Sequence, residues 1–400
     1  MNLESAGGRT RKRRAMGTDL DDVPDAPGQK VPGLGPEAQQ GPKTAPKILS
    51  RADKWSGGEV SFREWFRQSS ISPDDSSSVF RLGLGTAGIA NLYEQVDHDD
   101  AIATVNTAWQ EGVRYFDTAP LYGLGLSEIR LGESLASRTR DDFIISSKVG
   151  RLAVAAGSVS NSVRGEWPGV SHRESFFDYS YDGIMASVEE SLVRLKMSRI
   201  DMLIVHDLDR LHHSVPEQLE HYFLQLTSSG VRALRELRDS GSTRWVGAAV
   251  NNIDLVPRLL DSVDIDFMLV AGEYTLLRHA AAWEPIQFAS QRGVDTIVAG
   301  VYNSGILATG AGAGAHFDYD LATPDVLARV RAMEEVCHEF DVPLRAAALQ
   351  FSLGHPAVLG GLVGAATPAE VLQSKAASQV QIPPEFWIAL KKNGSVSVAY

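Results

Sequence analysis

One cysteine, Cys337, in 400 residues leaves no partner for an internal disulfide and no set of thiolates for a zinc site. A reducing compartment, and with it a cytoplasmic location, is the expectation. Long apolar runs are also missing. The longest weakly charged stretch, 346–366, contains Gln350, His355 and Pro356, and reads as a helix, a turn and a buried strand instead of a membrane span. Positive charge is in deficit, with 38 Lys and Arg against 50 Asp and Glu and a net charge of -12. That balance argues against a general nucleic-acid binder, which needs a clustered basic surface. The basic run Arg11, Lys12, Arg13, Arg14 is followed by acidic, Pro-rich sequence where a secretion signal needs an apolar segment, so none is expected. The run reads as a solvated basic head, with a nuclear or nucleic-acid address as the alternative.

Residues 1–78 have little apolar material beyond one amphipathic patch at 55–65. Too little apolar surface is present to offset ordering entropy, so the reading is a disordered or loosely packed extension. From residue 79 the pattern changes. Short apolar runs alternate with amphipathic segments to about residue 377, the mark of repeated strand-helix units. The candidate strands are VFRLGLGT, RYFDTA, FIISSKV, IDMLIVHD, WVGAAVN, DFMLVAG, TIVAGVY and GGLVGA. Eight parallel strands joined by right-handed crossovers close into a barrel, so the expected fold is an α/β, (β/α)8 TIM barrel over 79–400. Long insertions at 151–181, 208–227 and 302–323 all follow strands and should cover the mouth formed by the strands' carboxyl ends. They carry aromatic rings, Trp167 among them, and Tyr93 follows the first strand. These suit an apolar wall around a small substrate, although packing under a long loop explains such rings too.

The same mouth gathers polar residues. Asp117, Lys148 and His206 stand at or just past the ends of apolar runs, and Tyr122 follows within FDTAPLYG. A phenol titrates near ~10, too high for proton exchange at neutral pH. A nearby ammonium favours the phenolate, and a carboxylate keeps that ammonium charged and positioned. Tyr122, Lys148 and Asp117 supply these parts, and His206 can hydrogen-bond the reacting oxygen or move its proton. Taken singly, each has a bland reading: a turn cap, a solvated strand end, a structural histidine. Their joint placement carries the chemistry. A metal held by Asp117, His206 and Asp207 is the rival use, and the lysine beside two such ligands would repel it, so no metal is expected.

FDTAPLYG, SSKVGR, RIDMLIVHD and GAATPAEV together resemble the aldo-keto reductase superfamily over nearly all of 79–377. The resemblance implies a nicotinamide-dependent oxidoreductase on a (β/α)8 barrel, with the catalytic tetrad on Asp117, Tyr122, Lys148 and His206 and the tyrosine as general acid-base. YGLGLSE, FDYSYDGI, AGEYTLL and NSGIL resemble the branch of sugar dehydrogenases and pyridoxal 4-dehydrogenases, which oxidise a cyclic hemiacetal to a lactone. His206, with Tyr93 and Trp167, would then contact a sugar or aldehyde substrate.

For the cofactor, the resemblance puts Gly364 and Glu370 where relatives using the 2'-phosphorylated dinucleotide have a lysine and an arginine. A carboxylate there repels a phosphate and can accept from a ribose hydroxyl, which favours NAD, with NADP as the alternative. The pyrophosphate is expected against the turn Asn303, Ser304, Gly305 and Ile306, and at the helix start after Ala365, near Thr367. Asn251 is the expected carboxamide contact. Where relatives have a glutamine stands Ala271, and the usual stacking tyrosine is missing, with Tyr274 or Tyr302 as substitutes. An NADPH-dependent aldehyde or ketone reductase, and a cofactor-binding regulatory barrel without turnover, are the alternative functions.

Overall fold

The computed structural model describes residues 60–69, 81–158 and 167–397. All eight apolar runs form strands: β1 Leu82–Gly85, β2 Tyr115–Asp117, β3 Ile144–Val149, β4 Met202–Val205, β5 Trp245–Val250, β6 Phe267–Ala271, β7 Asp295–Ala299 and β8 Val358–Gly364. Each pairs in parallel with its sequence neighbours, and β8 pairs with β1, closing the barrel. Register decides which residues share the mouth. Gly85 aligns with Asp117, Asp117 with Ser146, Lys148 with Ile204, and Val149 with Val205. The carboxyl ends of β2, β3 and β4 therefore open at a common rim.

Amphipathic helices surround the strands and bury one stripe each. In Tyr181–Leu195, Ile184, Met185, Val188 and Leu195 are buried, Ser180 caps the first turn through Gly183, and the left-handed Lys196 ends the helix. The stretch 346–366 resolves as expected into the helix Leu344–Leu353, a turn and the buried β8. No helix among the described residues is long and apolar enough to cross a membrane.

The reading of 1–78 as a disordered or loosely packed extension needs correction at its described part, 60–69. Helix α1, Phe62–Ser69, turns Phe62, Trp65 and Phe66 into the barrel. Phe62 stacks on Phe267 of β6 at 4.8 Å and meets Trp245 edge-on at 5.4 Å, while Phe66 meets Tyr115 of β2 at 5.3 Å. Asp295 at the start of β7 receives Arg63. The three rings sit at i, i+3 and i+4, one helical face. What made them legible only afterwards is their counterpart: the amino-terminal rims of β2, β5 and β6 present rings that α1 covers. The remainder of the extension, 1–59 and 70–78, lies outside the described residues.

The insertions also hold structure that loop-like composition concealed. Arg151–Ala155 and Arg173–Phe177 pair as an antiparallel hairpin over the mouth. In 208–227 the helix Pro216–Gln225 runs through a π turn, Leu226–Gly230, into the helix Val231–Ser240. The third insertion folds into a one-turn helix, Ile306–Thr309, and a hairpin joining His316–Phe317 to Asp320–Leu321.

Candidate active site

Asp117 closes β2 and Lys148 is the fifth residue of β3, so both project at the rim. Lys148 Nζ lies 2.6 Å from Asp117 Oδ2 and donates to the Thr118 carbonyl at 2.9 Å, while Ser146 Oγ donates to Asp117 Oδ1 at 2.6 Å. Both side chains are about 2–3% exposed, so the pair is sealed from water and hydrogen-bonded on both sides. Tyr122 follows on a tight turn in which Gly123, Leu124 and Gly125 all have positive φ. At Gly123 a Cβ would fall 2.7 Å from the Ala90 carbonyl, which is why only glycine fits there. The turn brings the Tyr122 ring over Lys148, with Nζ 4.5 Å from its centroid. His206, just past β4, meets the same ring edge-on at 6.1 Å. The four residues singled out from sequence thus converge on one site.

Their protonation departs from expectation in one respect. The ammonium was expected to lower the Tyr122 pKa; burial, with the carboxylates of Asp117 and Asp207, instead pushes it well above its usual value. Asp117 already compensates the charge of Lys148 at 2.6 Å, so the phenol sees a paired cation. Burial likewise pushes His206 down to about 3, against the opposing pull of Asp207, so its imidazole is neutral. The resting site therefore holds a neutral phenol and a neutral imidazole over a buried ion pair.

A charged cluster adjoins His206, and of its acids sequence reasoning had weighed only Asp207, with Asp117 and His206 in a rival metal site. Asp207 receives Arg151 Nη1 at 2.8 Å and lies 3.4 Å from His206 Nε2 and 3.5 Å from His212 Nε2. Asp209 contacts His212 Nδ1 at 2.9 Å and accepts from Asn251 Nδ2 at 2.6 Å. Against the penalty of burial, the histidines and Arg151 hold Asp207 well below the carboxylate range, and the two aspartates push His212 up. Asp207, Asp209 and His212 could converge on a cation, their ligand atoms lying within 4.8 Å of one another. A guanidinium and an amide already engage those carboxylates. The only sequence signals for the cluster were Arg151 after SSKVG and Asp207 after His206, neither of which spacing connects.

The wall residues divide. Trp167 packs with Leu124, Ala153 and Val170, its ring 6.3 Å from that of Tyr122. Tyr93 is 57% exposed and meets His316 at 6.2 Å and Tyr319 at 6.5 Å, on the hairpin after β7.

The expected cofactor residues divide too. Tyr274 cannot stack on a nicotinamide: it is 1% exposed and lies against Phe351 at 5.6 Å, in the layer between barrel and helices. Tyr302 donates to Ser374 at 3.4 Å. The Asn251 amide is turned to Asp209. The amides of Gly305 and Ile306, assigned to pyrophosphate, donate to Tyr302 and Asn303 carbonyls at 3.1 and 3.4 Å. Asn303 and Ser304 share their left-handed turn, and the buried Asn303 Oδ1 has no partner among the described residues. At the other expected contact, Gly364 is open and Ala365 buried, Thr367 caps the helix Pro368–Gln379 through the Glu370 amide, and Glu370 Oε2 accepts from the Ala366 amide at 2.7 Å. An open glycine, a buried acceptor and a fixed carboxylate are the groups that the structure offers at these positions.

With this geometry stated, known proteins can be compared. The model of the aldo/keto reductase family matches residues 81–393. Pyridoxal 4-dehydrogenase of Microbacterium luteolum is 40% identical over 330 residues, covering 80% of this chain and 95% of its own. D-threo-aldose 1-dehydrogenase of a Pseudomonas species is 34% identical over 323 residues, covering 77% and 92%. Among solved structures, the glycerol dehydrogenase of Gluconobacter oxydans superposes with a TM-score of 0.61 at 21% identity, over 83% of this chain and 98% of its own, a likeness of fold.

Proposed function

The chain belongs to the aldo/keto reductase family and is an oxidoreductase of the nicotinamide type, and from that premise we propose that it oxidises a cyclic hemiacetal to a lactone with NAD. The substrate class is an aldose resembling L-fucose or D-arabinose, or the hemiacetal of pyridoxal. The names of the two relatives point to pyridoxal and to a D-threo-aldose. The observation that carries the chemistry is the sealed Lys148–Asp117 pair under the Tyr122 ring.

The reaction removes a hydride from carbon and a proton from oxygen, leaving C=O where C–H and O–H stood. A bound nicotinamide would supply the acceptor for the hydride. Tyr122, as phenolate, takes the hydroxyl proton, and Lys148 stabilises the phenolate charge while Asp117 holds the ammonium in place. His206 hydrogen-bonds the reacting oxygen. Because Tyr122 is pushed up, oxidation should accelerate toward alkaline pH. Trp167 and Tyr93 would line the substrate space, and Asn303, Ser304, Gly364, Ala365, Thr367 and Glu370 would hold the dinucleotide. Gly305, Ile306 and Asn251 would join them only if their present hydrogen bonds were exchanged.

NAD is favoured over NADP by Glu370, whose carboxylate is fixed at the start of a helix where a 2'-phosphate would need a cation. A screen of both oxidised cofactors against L-fucose, D-arabinose and pyridoxal tests this reading. NAD reduction with at least one is expected; turnover of aldehydes with NADPH alone would overturn it.

A further inference from the structure

The hydrogen bonds of the Lys148–Asp117 pair continue past Asp117 into the barrel. Ser146 Oγ donates to Asp117 Oδ1 at 2.6 Å, and Tyr115 Oη lies 3.0 Å from the same serine oxygen. A serine has one proton to give, and here the carboxylate takes it, so the Tyr115 hydroxyl is the donor to Ser146. Tyr115, Ser146 and Asp117 form one directed chain. Strand side chains repeat every two residues, so Tyr115 and Asp117 of β2 share the face turned to Ser146 and Lys148 of β3, with Asp117 level with Ser146 in the register. All four are buried. The Tyr115 ring is held from two sides. On β1, Gly83 leaves room for it: a Cβ there would fall 2.6 Å from Tyr115 Cδ1. From the amino-terminal rim, the buried Phe66 of α1 meets the ring edge-on at 5.3 Å, a favoured aromatic geometry. Burial and the charge of Asp117 push the Tyr115 pKa well above its usual value, so its hydroxyl stays protonated.

We infer that Tyr115 and Ser146 are positioning residues for Asp117: their chain fixes Oδ1 and offsets part of the carboxylate charge, leaving Oδ2 to Lys148, and helix α1 steadies the chain through Phe66. The plug at one rim of the barrel is in this way tied to the ion pair at the other. The consequence for turnover rests on the dehydrogenase reading of the same site. The charged and titratable groups facing Tyr122 are Asp117, Lys148, Asp207 and His206, with Tyr115 and Tyr319 as neutral phenols. Among them Asp117 opposes the ionisation of Tyr122, and a carboxylate stripped of its Oδ1 donor opposes it more strongly. Tyr115 acts one step further back. By donating to Ser146 it polarises that hydroxyl and strengthens its bond to the carboxylate.

Two measurements test the inference. The first is the carboxyl carbon resonance of Asp117 in protein labelled with 13C-aspartate, assigned by the signal lost in Asp117→Glu. It should move in Tyr115→Phe, which removes one oxygen, and stay in place in Tyr222→Phe, at a buried ring outside the chain. A resonance that Tyr115→Phe leaves unmoved would overturn the proposal. This needs no turnover, so it decides the role of Tyr115 even if the hemiacetal screen finds no NAD-linked activity and the dehydrogenase reading falls. The second is the pH profile with NAD and the best substrate of that screen. Loss of a hydrogen bond to a charged group in Ser146→Ala should move the rising limb of kcat up by about one pH unit, about 10-fold lower kcat at a fixed pH on that limb. KM should stay within about twofold, because Ser146 lies below the substrate space. Tyr115→Phe and Phe66→Leu should move the limb the same way by less. A merely structural defect lowers the active fraction and leaves the limb where it was. A limb that stays in place in folded Ser146→Ala or Tyr115→Phe overturns the chain, and one that stays in place in Phe66→Leu overturns the hold of α1 on it.

Discussion

Lys148→Met removes one half of the buried ion pair and keeps most of the side-chain volume. In the native site, opposite charges 2.6 Å apart attract by about 6 kcal/mol at an effective dielectric constant of ~20. Desolvation of both groups cancels much of that, so the pair itself has little net value. Breaking it is another matter. Asp117 would remain buried with only Ser146 donating to it, and the Thr118 carbonyl would lose its Nζ partner. The expected destabilisation is about 3–5 kcal/mol, a large share of the ~5–15 kcal/mol of a typical domain. Replacing both residues, Asp117→Asn with Lys148→Met, should restore more than half of the loss, because no charge is then left alone. Urea unfolding of the two single variants and the double variant gives the coupling directly. A loss under ~1 kcal/mol for Lys148→Met, or additive losses in the double variant, would refute the picture of a sealed pair.

Phe66→Ala, at a side chain 1% exposed in the plug helix, should cost about 3–5 kcal/mol in denaturant unfolding, whereas a loosely attached extension would lose almost nothing. Stability should also depend on pH through buried histidines. Burial pushes His206 down to about 3, and His213 and His355 to about 4, from an ordinary 6.5. The unfolded chain then binds more protons between those values, so melting temperature should fall steadily as pH drops from about 6.5 towards 4 and should gain nothing from these groups above it. His212, pushed up by Asp209 and Asp207, opposes this only in part. Thermal melts across this range check the slope, which His355→Gln should flatten.

The barrel was legible because each strand is an apolar run bounded by turn residues and each helix shows its own period, signals local to the chain. Asp117, Lys148 and His206 stood out for the same reason: they interrupt apolar runs where strands end. What local pattern could not carry is partnership across the fold. Phe62, Trp65 and Phe66 have a helical face, but nothing nearby in sequence announces Phe267, Trp245 and Tyr115 as the surface awaiting it. Arg151 opens the insertion after β3 and Asp207 stands just past β4, and the two meet only because a hairpin folds over the rim. Tyr274 shows the opposite failure. Its position after β6 suggested the mouth, yet the chain turns it outward onto Phe351.

The central claim is that the hydroxyl of Tyr122 moves the proton. Tyr122→Phe removes one oxygen and keeps the ring that lies over Lys148 and beside Trp167. Titration of NAD binding together with steady-state turnover on one preparation tests it most directly. The prediction is an NAD dissociation constant within about threefold of the unsubstituted enzyme and a kcat lower by roughly 10²–10⁴-fold; turnover within tenfold of the unsubstituted enzyme would contradict it.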